Sequence, residues 1–222
     1  MWRPVGRLGS SARVTLALAL GLATLAIALV VVLSGSPLVL ARANPVPADE
    51  PVYKAAGGSG ACQSGETVPA GVSAIRLIFV AVVGPRLSLT VSSPAGAVTA
   101  GSVGSGWTAG AVTVPVKPMS HPVASARICF RLGSSAEGVE VGGSAAGPAV
   151  AARTLSGKVL PGRFTVEYMH RARDSWWSSG ETVARRLGLG HAPSGTWLAV
   201  LLLVAMGSVV TGASWLVLRE LG

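Results

Sequence analysis

The sequence predicts a mainly β protein: an extracytoplasmic β-sandwich, of jelly-roll or immunoglobulin-like kind, flanked by two transmembrane helices. Three observations predict it. Two long apolar runs, residues 14–33 and 196–218, carry no charge. Short segments of period-two alternation fill the region between them, and the only two cysteines, Cys62 and Cys129, lie there as well. Composition agrees, because 50% of the 222 residues are hydrophobic and 12% charged, which is too apolar for an ordinary soluble domain.

Residues 1–13 carry Arg3, Arg7 and Arg13 and no acid, so the positive-inside rule places this end in the cytoplasm. The run that follows, "VTLALALGLATLAIALVVVL", would be about 30 Å long as a helix, the thickness of the hydrocarbon core. It reads as a signal anchor. Ala41-Arg42-Ala43 has the A-x-A form of a cleavage site. The apolar run is longer than the usual h-region of about 7–15 residues, however, and the A-x-A lies about ten residues past its end, so a retained anchor is expected over cleavage after Ala43. Residues 34–60, ending in "NPVPADEPVYKAAGGSG", read as a Pro/Gly/Ala-rich linker, with the folded domain covering 61–172.

Within that domain "RLSLTVS" alternates, with Leu87, Leu89 and Val91 on one face and Arg86, Ser88, Thr90 and Ser92 on the other. The same period places Val112, Val114 and Val116 together in "AVTVPV", Ile128, Phe130 and Leu132 in "ARICFRL", and Phe164, Val166 and Tyr168 in "RFTVEYM". "AIRLIFV" is more continuously apolar and reads as a central strand. Weaker segments lie near Ala97, Val139 and Ala149. Seven or eight short strands between Gly/Pro/Ser turns make a sandwich. Two cysteines in an exported domain predict a disulfide joining the domain's first residues to the "ICF" strand.

Residues 173–195 read as a juxtamembrane amphipathic segment. Trp176 and Trp177 would sit among headgroups, with Arg185 and Arg186 reaching phosphates. Ser178 followed by Glu181 has the form of a capping box opening a short helix through Arg186 or Leu187. The alternative is that the paired tryptophans cover the domain's own core. In the second span Trp197 and Trp215 would lie about 27 Å apart, one ring at each interface of the bilayer. Residues 219–222 form a cytoplasmic tail. The expected location is therefore the plasma membrane, crossed twice, with both termini cytoplasmic and the domain outside.

The net charge of +9 invites a nucleic-acid reading, but the cations are scattered along the chain with no basic helix and no aromatic RNA-binding motif, so nucleic acid is not expected. Between Ser34 and Gly195 fourteen Lys/Arg stand against eight Asp/Glu, a mild excess suited to an anionic envelope surface. His121, His170 and His191 form no metal-ligand spacing, and neither a G-x-S-x-G elbow nor a phosphate loop is present, so no metal, cofactor or catalytic residue is expected. A glycosidase would need two converging carboxylates drawn from Glu66, Glu137, Glu140, Glu167, Asp174 and Glu181. Trp107, between glycines, is the one aromatic that could mark a ligand face by stacking on a sugar; the competing reading buries it in the core.

The stretches "ACQSGETVPAG", "GSGWTAGAVTVPVKP" and "SWWSSGETVARRLGLGHAPSGTWLAVLLLVA" together resemble a group of uncharacterised actinobacterial two-span membrane proteins with one exported β-rich domain. The resemblance runs over nearly the whole chain from Ala61 onward and implies the topology and the source. It carries over no activity and no functional residue. The expected function is a non-enzymatic, membrane-anchored binding or accessory module of the cell envelope, whose partners are the lipid bilayer and another membrane protein or an envelope glycan. The alternatives are a carbohydrate-active enzyme, or its accessory, built on the scattered carboxylates, and an assembly subunit of a membrane complex.

Overall fold

A computed structural model describes residues 10–134 and 138–178, together with Gly207. The chain divides into two compact units, one of residues 38–172 and one of the flanking segments.

In the flanking unit, helix α1 (Ser10–Ser34) has no acidic residue in its first turn and no basic residue in its last. It ends where Gly35 N donates to Val32 O and the Ser34 hydroxyl turns back to Val31 O. Its side chains are described from Ala19, and Leu25, Ile27, Val30, Val31 and Val32 are all exposed. Among the described residues no helix is long and apolar enough to cross a membrane. The second expected span, 196–218, lies outside the described residues.

The other unit is a β-sandwich of two antiparallel sheets. The first contains β1 (Leu38–Ala43), β2 (Glu50–Ala55), β4 (Val72–Val80), β7 (Gly110–Pro115), β9 (Val139–Ala145), β11 (Gly162–Phe164) and β12 (Val166–Arg171). The second contains β3 (Gly60–Val68), β5 (Leu87–Ser93), β6 (Gly96–Val103), β8 (Val123–Leu132) and β10 (Arg153–Thr154), in the order β10-β3-β8-β5-β6. As its apolar content predicts, β4 is central. It pairs with β7 along one edge and with β12 and then β9 along the other.

The alternating residues meet between the sheets. Ile75, Leu77 and Phe79 from β4 and Phe164 from β11 face Leu87, Leu89, Ile128 and Phe130 in one buried cluster. Phe130 stacks edge-on with Phe79 at 5.6 Å and with Phe164 at 5.4 Å, joining one sheet to the other through rings.

Three sequence expectations are corrected here. Residues 34–60 are not a linker, because β1 pairs with β12 and β2 with β9, and Val52 and Ala55 are buried. The Pro and Gly residues that suggested a linker punctuate two edge strands, where proline is tolerated. The domain therefore begins at Leu38 rather than Ala61. The segment near Ala149 contributes only Arg153 and Thr154 as strand, the residues before it forming turns.

Candidate functional site

The disulfide between Cys62 and Cys129 is formed. It does not tie the first residues of the domain to its middle, since two strands precede it. The two cysteines stand directly opposite each other on adjacent strands β3 and β8, with Cα atoms 4.0 Å apart. Ile128, Phe130 and Leu132 point into the core, so Arg127, Cys129 and Arg131 point away from it. The disulfide thus lies on the outer face of the second sheet, between two arginines.

Strand register assembles the rest of this face. Ser88 pairs with Arg131, Thr90 with Cys129 and Ser92 with Arg127, while Arg153 pairs with Cys62 from the other side. Two clefts flank the disulfide and share Cys62 and Arg127. One, of about 440 Å³, is lined by Arg127, Arg153 and Arg163 with Ser64; the other, of about 420 Å³, by Arg127 and Arg131 with Ser88, Thr90 and Ser92. Neither has a carboxylate in its lining. Among the described residues the side chains of Arg127 and Arg131 have no ion-pair or hydrogen-bond partner, and that of Arg153 reaches only Gly157 O. Cations that are scattered in sequence are therefore gathered by the fold onto one face. The signal for it was present in "RICFR", where arginines two residues either side of the cysteine must share its face.

Behind this face lies a buried polar cluster that sequence reading did not find. Glu66 is 3% exposed and accepts from Gln63 Nε2 (2.6 Å), Asn44 Nδ2 (3.3 Å), the Tyr168 hydroxyl (2.9 Å) and the Arg163 guanidinium. Gln63 also accepts from Phe164 N at 2.6 Å, and Asn44 from Val166 N at 3.0 Å, which satisfies the backbone at the break between β11 and β12. Burial, and then the adjacent Glu66 carboxylate, push the Tyr168 phenol well above its ordinary pKa. The cluster joins β3 of the second sheet to β11 and β12 of the first and to Asn44, the residue after β1. Gly65, at φ 77°, and the register shift after Gln63 turn Glu66 to the same side as Gln63, against the period of two.

The remaining candidates are dispersed. Glu140 pairs with Lys54 at 3.5 Å and Glu167 with Arg76 at 3.2 Å, both on the first sheet, and Asp174 lies in the flanking unit. Glu137 and Glu181 lie outside the described residues. Trp107 is half-buried and packs against the core. Its ring packs on Phe79 at 5.2 Å and against Gly84, where any side chain would collide with the indole, and its Nε1 donates to Pro85 O at 2.7 Å.

In the flanking unit Trp176 and Trp177 are 50% and 64% exposed, on a helical turn at 176–178. That turn begins three residues earlier than the capping box suggested. Ser175 caps it, its hydroxyl accepting from Ser178 N at 3.4 Å. Arg185, Arg186, Trp197 and Trp215 lie outside the described residues. No protein-family model matches the chain, and no curated protein matches its sequence.

Proposed function

We propose that the protein is a membrane-anchored binding module of the cell envelope, with its sandwich outside the plasma membrane, both termini cytoplasmic and no chemistry of its own. The observation that carries this reading is the outer face of the second sheet, where three arginines without carboxylate partners border clefts that offer hydroxyls and cations but no acid or nucleophile pair. An enzyme built on scattered carboxylates is disfavoured, because Glu66, Glu140 and Glu167 are each held by a cation of their own.

Two further features support the anchoring. Leu38 pairs with Arg171, so the chain enters and leaves the sandwich through neighbouring strands at one edge, as two adjacent membrane helices require. The exposed apolar side chains of α1 surround the helix rather than forming one stripe, the pattern of a helix solvated by lipid. Trp176, Trp177, Arg185 and Arg186, with Trp197 and Trp215, are then read as interface residues of the second crossing. The resemblance to two-span envelope proteins points the same way.

The anchor is retained on this reading. Cleavage after Ala43 would detach β1 and leave a new terminus at Asn44, whose side chain is buried in the Glu66 cluster and whose backbone N donates to Val166 O. Within the sandwich class, the disulfide ties neighbours in one sheet, a departure from the inter-sheet tie of antibody domains.

Alkylating intact cells with a membrane-impermeant thiol reagent, before and after reduction, tests the location. The expected result is labelling of Cys62 and Cys129 only after reduction; labelling only after lysis would place the domain inside and end the proposal. An intact Met1 by mass spectrometry is expected for the retained anchor.

A further inference from the structure

We propose that the outer face of the second sheet binds a linear polyanion, an envelope polymer carrying carboxylate or phosphodiester groups at regular intervals, through Arg127, Arg131 and Arg153. The inference rests on the reading of an exported binding module and names its ligand class.

The charge on this face is unusually one-sided. From Ala61 to Leu132 the sequence contains a single acid, Glu66, and its carboxylate is buried and committed to Arg163 and Tyr168. Nothing within the second sheet is left to neutralise Arg127 or Arg131. Unmatched guanidinium groups beside hydroxyls are suited to oxyanions, because a planar fork of donors meets two oxygens at once.

The spacing argues for a chain of anions over a single one. Arg127 and Arg131 are four residues apart on β8, about 13 Å along the strand. Arg153 lies opposite Cys62, two strand spacings from β8, about 10 Å to the side. Arg127 and Arg153 border one cleft and Arg127 and Arg131 the other, so the cations are spread over two adjoining clefts and can meet successive charged groups of an extended polymer. The two clefts adjoin at the disulfide, Cys62 lining both and Cys129 the second. Val150 and Leu155, exposed and lining the clefts, supply apolar contact for sugar rings or a polymer backbone. A lipid surface shares the anionic chemistry, but cations that line clefts suit a chain that enters them better than a plane.

The test uses the full-length protein in uncharged detergent micelles, with fluorescently labelled polygalacturonate and poly(glycerol phosphate) as probes, dextran as the neutral control and phosphatidylglycerol vesicles as the lipid arm. Binding of at least one polymer, but not of dextran, is expected. Its affinity should fall steeply between about 50 and about 200 mM salt, as counterions are released on binding. The arm that binds says whether carboxylate or phosphodiester is the group read. The double variant Arg127→Gln/Arg131→Gln should weaken binding about tenfold or more while melting as the parent does, and Arg76→Gln, on the other sheet, should change it by less than about twofold. Failure to bind either polymer, equal losses in the two variants, or binding only to vesicles would overturn the proposal. The thiol-labelling result is read separately, so a domain found inside the cell condemns the location whatever the polymers do.

Discussion

The outer faces of the two sheets treat their charges in opposite ways. On the first, Arg76 of β4 meets Glu167 of the adjacent β12, and Lys54 of β2 meets Glu140 directly across on β9. On the second, Arg127 and Arg131 alternate with a disulfide cysteine and stand opposite Ser92 and Ser88. Both faces are built from the same alternation, and Arg76, Glu140 and Glu167 are half-buried where Arg127 and Arg131 are exposed. They differ also in whether each cation has an acid opposite. A matched face is a solvated surface with its field cancelled locally; an unmatched one keeps a positive potential, screened by salt, that an anionic ligand would meet.

The largest effect is expected where the one acid of the second sheet has been drawn inside. Glu66→Gln puts an amide where four donors converge and leaves Arg163 without its counter-charge, so a loss of about 3–5 kcal/mol is expected in denaturant unfolding of the oxidised protein. A loss below about 1 kcal/mol would mean that the two sheets are held by the aromatic core alone. Next comes the tie on the outer face. Replacing both Cys62 and Cys129 by serine releases a loop of 67 residues, worth about 4 kcal/mol on the chain-entropy account. The measurement is the unfolding midpoint of the double variant against that of the parent under non-reducing conditions.

How much of this was legible beforehand follows from how local each feature is. The strands around Leu89, Val114, Phe130 and Val166 could be read because period two is a property of consecutive residues, and the cysteine pair because two cysteines leave a single possible pairing. Residues 34–60 were misread because Pro and Gly at sheet edges look like linker residues when the partner strands, β12 and β9, lie about a hundred residues away. Glu66 was one of the carboxylates named, but its place inside the fold was invisible for a different reason. Its burial depends on a bulge at Gly65 that breaks the very period used to assign faces. The cationic face was half legible: Arg127 and Arg131 flank Cys129 in sequence, whereas the approach of Arg153 depends on its register with Cys62. No local pattern could indicate that Trp107 spends its indole N–H on Pro85.

Tyr168 offers a smaller, pH-dependent test of the same cluster. Its folded pKa is raised, so the folded chain keeps the phenol proton where the unfolded chain, with a value of about 10, has released it. The stabilisation from this hydroxyl is therefore complete below about pH 10 and is lost as pH rises above it. Tyr168→Phe should cost about 2 kcal/mol at neutral pH, the range of a hydrogen bond to a charged acceptor, and should flatten the alkaline part of the stability profile. An unchanged alkaline slope would show that other groups carry it.

The smallest effects divide the two faces most directly. The Arg76–Glu167 pair is partly exposed, with side chains 32% and 26% accessible, so Arg76→Gln should destabilise by less than about 1 kcal/mol, and less still at high salt. Arg131→Gln removes a charge that no acid answers. Arg127, the nearest cation along its strand, is about 13 Å away, beyond the screening length of about 8 Å at physiological salt, so stability there should not change. At low salt the screening length grows and the repulsion between the two arginines is felt, so the same substitution should become slightly stabilising. Opposite salt responses in thermal melts of the two variants would separate a face balanced for stability from one kept charged for a ligand. If Arg131→Gln instead destabilised the protein as much as Arg76→Gln does, the arginines of the second sheet would be structural and the contrast between the faces would fail.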